Sequence, residues 1–253
     1  MNPVIEPQRK TEFERAWSAR FREFAHVHDD DAGIAGWTRT GLAARLRHFE
    51  RHFDASRAQG LWLDAGCGAG TYSRHLRRLG ADVVGLDYSL ESLRKARRRD
   101  ETDALYCAGD VTRLPLRDGA FDGVLCFGVT QALSGSEAAV RALTAAARAN
   151  GEVWIDGLNV WCLPHLLEML SRRLRGRREH LRYETPARVK RALRDAGWRV
   201  ERYWLPILPA RFARFQGWLE RGWVVALLHR VPPLGALLSH SFVIRARRGS
   251  AKT

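Results

Sequence analysis

Between residues 61 and 158 short apolar runs alternate with segments of helical period, and this alternation leaves few folds open. "LWLDAG" (61–66) reads as a buried strand, followed by a helix from about Thr71 to Leu79. "DVVGLD" (82–87) is a second strand, and "SLESLRKARRR" after it a helix with Ser89 as its N-cap. "ALYCAGD" (104–110), "FDGVLCFG" (121–128) and "GEVWIDGL" (151–158) are the next strands, with a helix from Ser136 to Arg148 between the last two. Strands joined by helices pair in parallel, because the crossover returns the chain to the same end of the sheet. Such crossovers are right-handed, so helices cover both faces.

The flanks complete the picture. Residues 11–54 read as helices with one break: Phe13, Trp17, Phe21 and Phe24 share one face, and Leu42, Leu46, Phe49 and Phe53 another. After Leu158 come two helical stretches, "VWCLPHLLEMLSRRLR" and "TPARVKRALRDAG", the second started by Thr185-Pro186 and stopped by Gly197. "WRVERYWL" (198–205) and "SFVIRAR" (241–247) are the sixth and seventh strands. Residues 206–240 form an apolar, aromatic insertion between them. The chain thus divides into an N-terminal helical cap, 1–58, and an α/β domain, 59–253, with 206–240 as a lid-like insertion.

Composition narrows the function classes. With 28% charged and 45% hydrophobic residues the 253-residue chain is an ordinary soluble protein able to bury a sizeable core. The net charge of +14 comes almost wholly from arginine, since lysine stands only at 10, 95, 190 and 252. The arginines are spread along the chain rather than gathered in a stripe, which weighs against nucleic acid as the partner. The four cysteines form no CxxC pair and have no histidine at zinc spacing, so no metal is expected and a reducing, cytoplasmic setting fits. The N-terminus has no apolar run of the signal-peptide kind.

The chemistry is written at the strand ends. Gly66, Gly68 and Gly70 follow the first strand as G-x-G-x-G, not the G-x-G-x-x-G of dinucleotide sites. Glycine lets backbone approach a ligand with no Cβ between them. Asp64 precedes the glycines, and a carboxylate beside a helix N-terminus suits a ligand carrying ammonium and sulfonium better than a pyrophosphate. Asp87 at the tip of the second strand is placed to accept from ribose hydroxyls, and Asp110 after the third to accept from an adenine amine.

In "LDAGCGAG", "VVGLDYS", "AGDVTRLPLRDGAFDGVLC" and "NGEVWID" the chain resembles the class I S-adenosylmethionine-dependent methyltransferases of the small-molecule, type-11-like kind, from residue 61 to about 157. The resemblance implies a Rossmann-like, seven-stranded, mainly parallel sheet with helices on both faces and S-adenosyl-L-methionine as cofactor. Carried over by position, it sets Asp64 near the methionine amino group and has Gly66, Gly68 and Gly70 cradle that moiety. It gives the ribose to Asp87, with Tyr88 beside the adenine, Asp110 and Val111 facing its ring, and Phe127 along the cofactor. Tyr88 and Phe127 serve equally well as packing residues. Asn150-Gly151 departs from the family's usual turn before the fifth strand but still makes a turn.

The expected reaction is in-line transfer of a methyl group to a small-molecule or lipid- or glycan-linked acceptor. Candidate general bases are His26, His28, His75, Asp156 and Asn159, with His28 first among them. The N-terminal helices and 206–240 are expected to close over the acceptor, with Trp37 and Arg39 over the cofactor carboxylate. Trp218, Trp223, Phe212 and Phe215, interleaved with Arg211, Arg214 and Arg221, also suit peripheral contact with a membrane. Two other readings stay open: an RNA methyltransferase, and a non-catalytic S-adenosylmethionine-binding partner protein.

Overall fold

The computed structural model describes residues 10–177 and 181–248; the first nine residues of the expected N-terminal cap and the last five of the chain lie outside them. The strands are β1 (Leu61–Ala65), β2 (Asp82–Asp87), β3 (Leu105–Ala108), β4 (Phe121–Cys126), β5 (Ala147–Leu158), β6 (Trp198–Leu205) and β7 (Ser241–Arg248). They form one seven-stranded sheet in the order β3-β2-β1-β4-β5-β7-β6. β1 to β5 pair in parallel, and β7 runs antiparallel to both β5 and β6. The strand order reverses at β1 and β4, the point where an open sheet of this kind leaves a crevice at its carboxyl edge.

The helices are α1 (Glu12–Val27), α2 (Asp31–Ile34), α3 (Arg39–His52), α4 (Thr71–Arg78), α5 (Leu90–Arg99), α6 (Glu137–Ala146), α7 (Leu163–Leu174), α8 (Pro186–Asp195), α9 (Gln216–Leu219), α10 (Gly222–Arg230) and α11 (Pro232–Leu238). Their starts follow from the sequence. Thr11 and Glu14 close a capping box on α1, Ser89 accepts from the Ser92 amide at the head of α5, and Thr185 accepts from Arg188 N ahead of Pro186.

Alternate side chains along each strand feed two cores. Leu63, Val124 and Ile155 pack with Leu143 of α6 and Val189 and Leu193 of α8. Trp62, Leu125 and Trp154 point the other way, onto Phe49 of α3 and Leu76 of α4. The fully buried Glu152 of β5 accepts from the Trp154 indole at 2.9 Å and from Arg245 at 2.8 Å, with Arg57 and Arg247 also on its carboxylate.

The structure departs from the sequence reading at β5. The strand begins at Ala147, directly after α6, and its register with β4 shifts between Phe121 and Gly123. Asn150-Gly151 therefore lies in an irregularity inside a strand rather than in a free turn. A Cβ on Gly151 would meet the Asp122 and Arg148 carbonyl oxygens at 3.0 and 3.1 Å, so the doubled-back backbone needs glycine there.

Candidate active site

The turn from β1 into α4 is built from glycine for a steric reason. Gly66, Gly68 and Gly70 take φ of 81°, 52° and 80°, a region that side-chain-bearing residues rarely adopt. A Cβ on Gly66 would come within 2.2 Å of Val129, whereas one on Gly68 would meet nothing within 4 Å, because Gly68 borders open space. The turn is fastened to β2: Gly66 N and Cys67 N donate to Leu86 O at 2.6 and 3.0 Å, and Gly68 N donates to Asp87 Oδ2 at 3.0 Å. Ser89 N donates to Asp87 Oδ1 at 2.8 Å. One amide on each oxygen orients the carboxylate and leaves the remaining lone pairs free to accept from a ligand. Burial raises the Asp87 pKa, opposed by the amides of Ser89, Gly68 and Tyr88.

The carboxyl ends of the strands open into a cavity of about 1210 Å³. Pockets for a single drug-sized ligand run to roughly 1,000 Å³, so this one has room for a cofactor and a second molecule. Gly66, Gly68, Asp87, Tyr88, Asp110, Val111 and Phe127 all line it. Asp110 is held on one oxygen by the amide and hydroxyl of Thr112 and pairs through the other with Lys10 Nζ at 2.8 Å. Burial pushes its pKa up, but the bonds from Lys10 and Thr112 outweigh burial and hold it below the usual carboxylate range. Phe127 sets its ring against Tyr72, with centroids 4.9 Å apart.

Other expected residues lie elsewhere. Asp64 sits behind the glycine turn, accepts from Ser73 Oγ at 2.6 Å and does not line the cavity; burial pushes its pKa up to about 6. Gly70 is also outside the lining, with Tyr106 Oη beside its Cβ position. His28, exposed at the end of α1, is packed on Phe24 and gives its carbonyl to Lys95 Nζ. His26, His75, Asp156 and Asn159 do not line the cavity either, so none of the proposed bases reaches it. The physical reason is visible at Asp156 and Asn159, which spend their groups on structure: Asp156 accepts from Gly128 N and faces Arg45, and Asn159 binds the carbonyls of Ala236 and Ser239. Arg39 turns outward to Asp30, while Trp37 does line the cavity. No residue of 206–240 lines it; that segment packs instead on α3 and β6, through Glu220 to Arg47 and through His229 Nε2, which accepts from Trp204 N at 3.3 Å, and this corrects the lid expectation.

The cavity is roofed by the N-terminal helices. Trp17 and Phe21 of α1 and Ile34 of α2 face it, and Glu14 ties α1 to the loop after β4 by accepting from Ser134 N at 3.0 Å. Asp31 accepts from Thr71 Oγ1 at 2.5 Å, from Arg99 at 2.8 Å and from Arg74, clamping the roof to α4 and α5. The run of three acids at 29–31 was the only sequence signal for this clamp. Tyr72, next to the last glycine of the turn, lines the cavity, and its buried hydroxyl has no hydrogen-bond partner. Arg113 and Arg141 line it with exposed guanidiniums. Among the described residues no group of histidine, cysteine and acid side chains could hold a metal, and no helix is long and apolar enough to cross a membrane.

Comparisons with known proteins agree with this geometry. Residues 63–155 match the methyltransferase domain family. The chain is 33% identical over 152 residues to a malonyl-[acyl-carrier protein] O-methyltransferase of Pseudescherichia vulneris, covering 60% of this chain and 57% of that protein. It is 29% identical over 163 residues to a ubiquinone biosynthesis O-methyltransferase of Chromobacterium violaceum, covering 60% and 69%. The match thus spans a little over half the length of the first relative. In structure it is similar to magnesium protoporphyrin IX methyltransferase of Synechocystis PCC 6803 with bound SAH, with a TM-score of 0.58, 15% identity, and coverage of 94% and 96% of the two chains. The left-handed glycine turn, the doubly anchored Asp87 and the oversized cavity all fall on or beside residues 63–155, the stretch that matches the methyltransferase domain family.

Proposed function

We propose that the chain transfers a methyl group from S-adenosylmethionine to an oxygen of a small, anionic or lipid-like acceptor that binds beneath α1. The observation that carries this reading is Asp87, anchored by two backbone amides with acceptor capacity turned to a cavity larger than one ligand needs. The cofactor supplies an electrophilic methyl on a sulfonium. The protein's part is to hold the acceptor in line and exclude water, which α1 and α2 support by covering the cavity.

Two features support an anionic acceptor. The exposed guanidiniums of Arg113 and Arg141 border the cavity. Its acids are held by protein donors: Glu14 by Thr11 and Ser134, Asp31 by Thr71 and two arginines, Glu137 by Arg188 at 2.6 Å. An acceptor that arrives as a carboxylate or phenolate brings its own nucleophile and needs no proton removed by the protein. The two relatives, a malonyl-[acyl-carrier protein] O-methyltransferase and a ubiquinone biosynthesis O-methyltransferase, support oxygen as the acceptor atom.

The experiment is to measure S-adenosylhomocysteine release with panels of carboxylates, phenols and amines. Turnover is expected with the anionic oxygen acceptors. Arg113→Glu with Arg141→Glu should raise KM for them roughly tenfold, the size of one lost charge contact. Turnover confined to amines, or an unmoved KM, would overturn the acceptor assignment.

A further inference from the structure

Helix α7 follows the end of β5 and packs on the protein with one face, where His165 is its one buried residue and Leu166 and Met169 are half-buried. Leu163, Leu167, Leu170 and Leu174, spaced by four, three and four residues, form one stripe that stays exposed, up to 78% at Leu174. Trp161, just before the helix, is 51% exposed. The helix adjoins the end of α11: Asn159 bonds the Ala236 and Ser239 carbonyls, and His165 packs on His240 at 4.6 Å. The 206–240 segment, in which α11 packs on α10 and α10 on α9, exposes Leu238, Leu237, Trp223, Trp218 and Phe215 as well.

Among the described residues of these two segments the exposed charges are of one sign. Arg173, Arg175 and Arg177 are exposed at the end of α7, and Arg211, Arg214, Arg221 and Arg230 across 206–240. The acids in 161–177 and 209–238 are Glu168 and Glu220 alone; neither is fully exposed, and they accept from Tyr183 Oη and Arg47 respectively. Arg211 and Arg214 lie over the rings of Phe212 and Phe215, at 4.9 and 4.7 Å. Large apolar side chains bordered, among the described residues of these two segments, by cations with no exposed carboxylate match the boundary of an anionic bilayer, where acyl chains take the leucines and headgroups meet the guanidiniums. A second copy of the chain is a poor occupant, because a two-fold contact would set these arginines against each other.

We propose that α7 and the 206–240 segment together form a docking surface for an anionic lipid bilayer. The surface includes no residue that lines the cavity, so the proposal does not rest on the assigned reaction.

The test is co-sedimentation of the full chain with phosphatidylcholine vesicles, with and without about one third phosphatidylglycerol. The wild-type chain is expected to sediment with the anionic vesicles at low salt and to be released at high salt. Leu167→Glu with Leu170→Glu should reduce the partition coefficient at least roughly tenfold, and so should Arg173→Glu with Arg175→Glu. These sites are exposed, so the thermal unfolding midpoint and S-adenosylhomocysteine affinity should stay unchanged and show that the variants fold. Wild-type chain left in the supernatant would overturn the proposal. So would equal partition of folded variants, or a leucine variant that changes only the oligomeric state.

Discussion

The glycine turn at 66–70 and the segment 206–240 both hold residues that local rules single out, yet only one of them behaves as those rules imply. The turn is made of backbone: its conformation is fixed by φ values, by a Cβ position already taken by Val129, and by amides that reach the adjacent strand. Its function follows from the same atoms that shape it. The 206–240 segment is held to the rest of the fold by side chains from a distant part of the chain, Arg47 and Arg51 on Glu220. Nothing in its own sequence says which wall it will cover. Function written into backbone geometry can be read locally; function assigned by packing cannot.

Four substitutions would break or sharpen that contrast. The largest effect is expected at Gly66→Ala, where a left-handed backbone and a Cβ only 2.2 Å from Val129 Cγ2 coincide. Together these should cost about 2–5 kcal/mol, read as a lower urea midpoint. A cost below about 1 kcal/mol would mean the turn relaxes freely.

Next is Asp64→Asn, which tests whether the acid behind the turn is a strained structural group. Burial raises its pKa from 3.8 to about 6 in the folded protein. A raised acid stabilises the fold below its unfolded pKa and loses that contribution as pH rises through the folded one. The wild-type chain should therefore lose stability relative to the variant between about pH 4 and 6, by up to ~3 kcal/mol. Parallel stability curves across that window would refute the assignment.

Asp87→Ala should weaken S-adenosylhomocysteine binding by about 2 kcal/mol, some thirtyfold, because the variant loses charged acceptors and frees the Gly68 amide. Calorimetry giving wild-type affinity would remove Asp87 from the ribose site.

The smallest effect belongs to the other region. Gln216→Ala cuts the bonds to Pro206 O and Leu208 N and should cost about 1 kcal/mol of stability, with cofactor affinity unmoved. A tenfold loss of that affinity would show that 206–240 is coupled to the cavity after all.

Much of the architecture was legible because its signals are local. Strand lengths, the caps at Thr185 and Ser89 and the glycine register each depend on neighbours a few residues away. Asp87, Asp110 and Phe127 share one cavity because they stand at strand ends, and a parallel sheet delivers its carboxyl edges to one side. The bases were not found, because a histidine's worth depends on where its helix is laid down. His28 ends α1 on the outer side, and Asp156 is committed to Gly128 and Arg45. Asp31, which clamps the roof, looked like one of three equivalent acids until Arg74 and Arg99 came to meet it.

The sequence by itself determined the alternation of strand and helix, the glycine turn and the acid at the tip of β2, because these are set by backbone sterics and by the period of apolar residues. Tertiary structure alone decided what covers the cavity, which acids are spent on internal pairing, and that the leucines of α7 remain uncovered. Those depend on which distant surfaces meet, and a side chain's partners across the fold leave no mark on its neighbours in sequence.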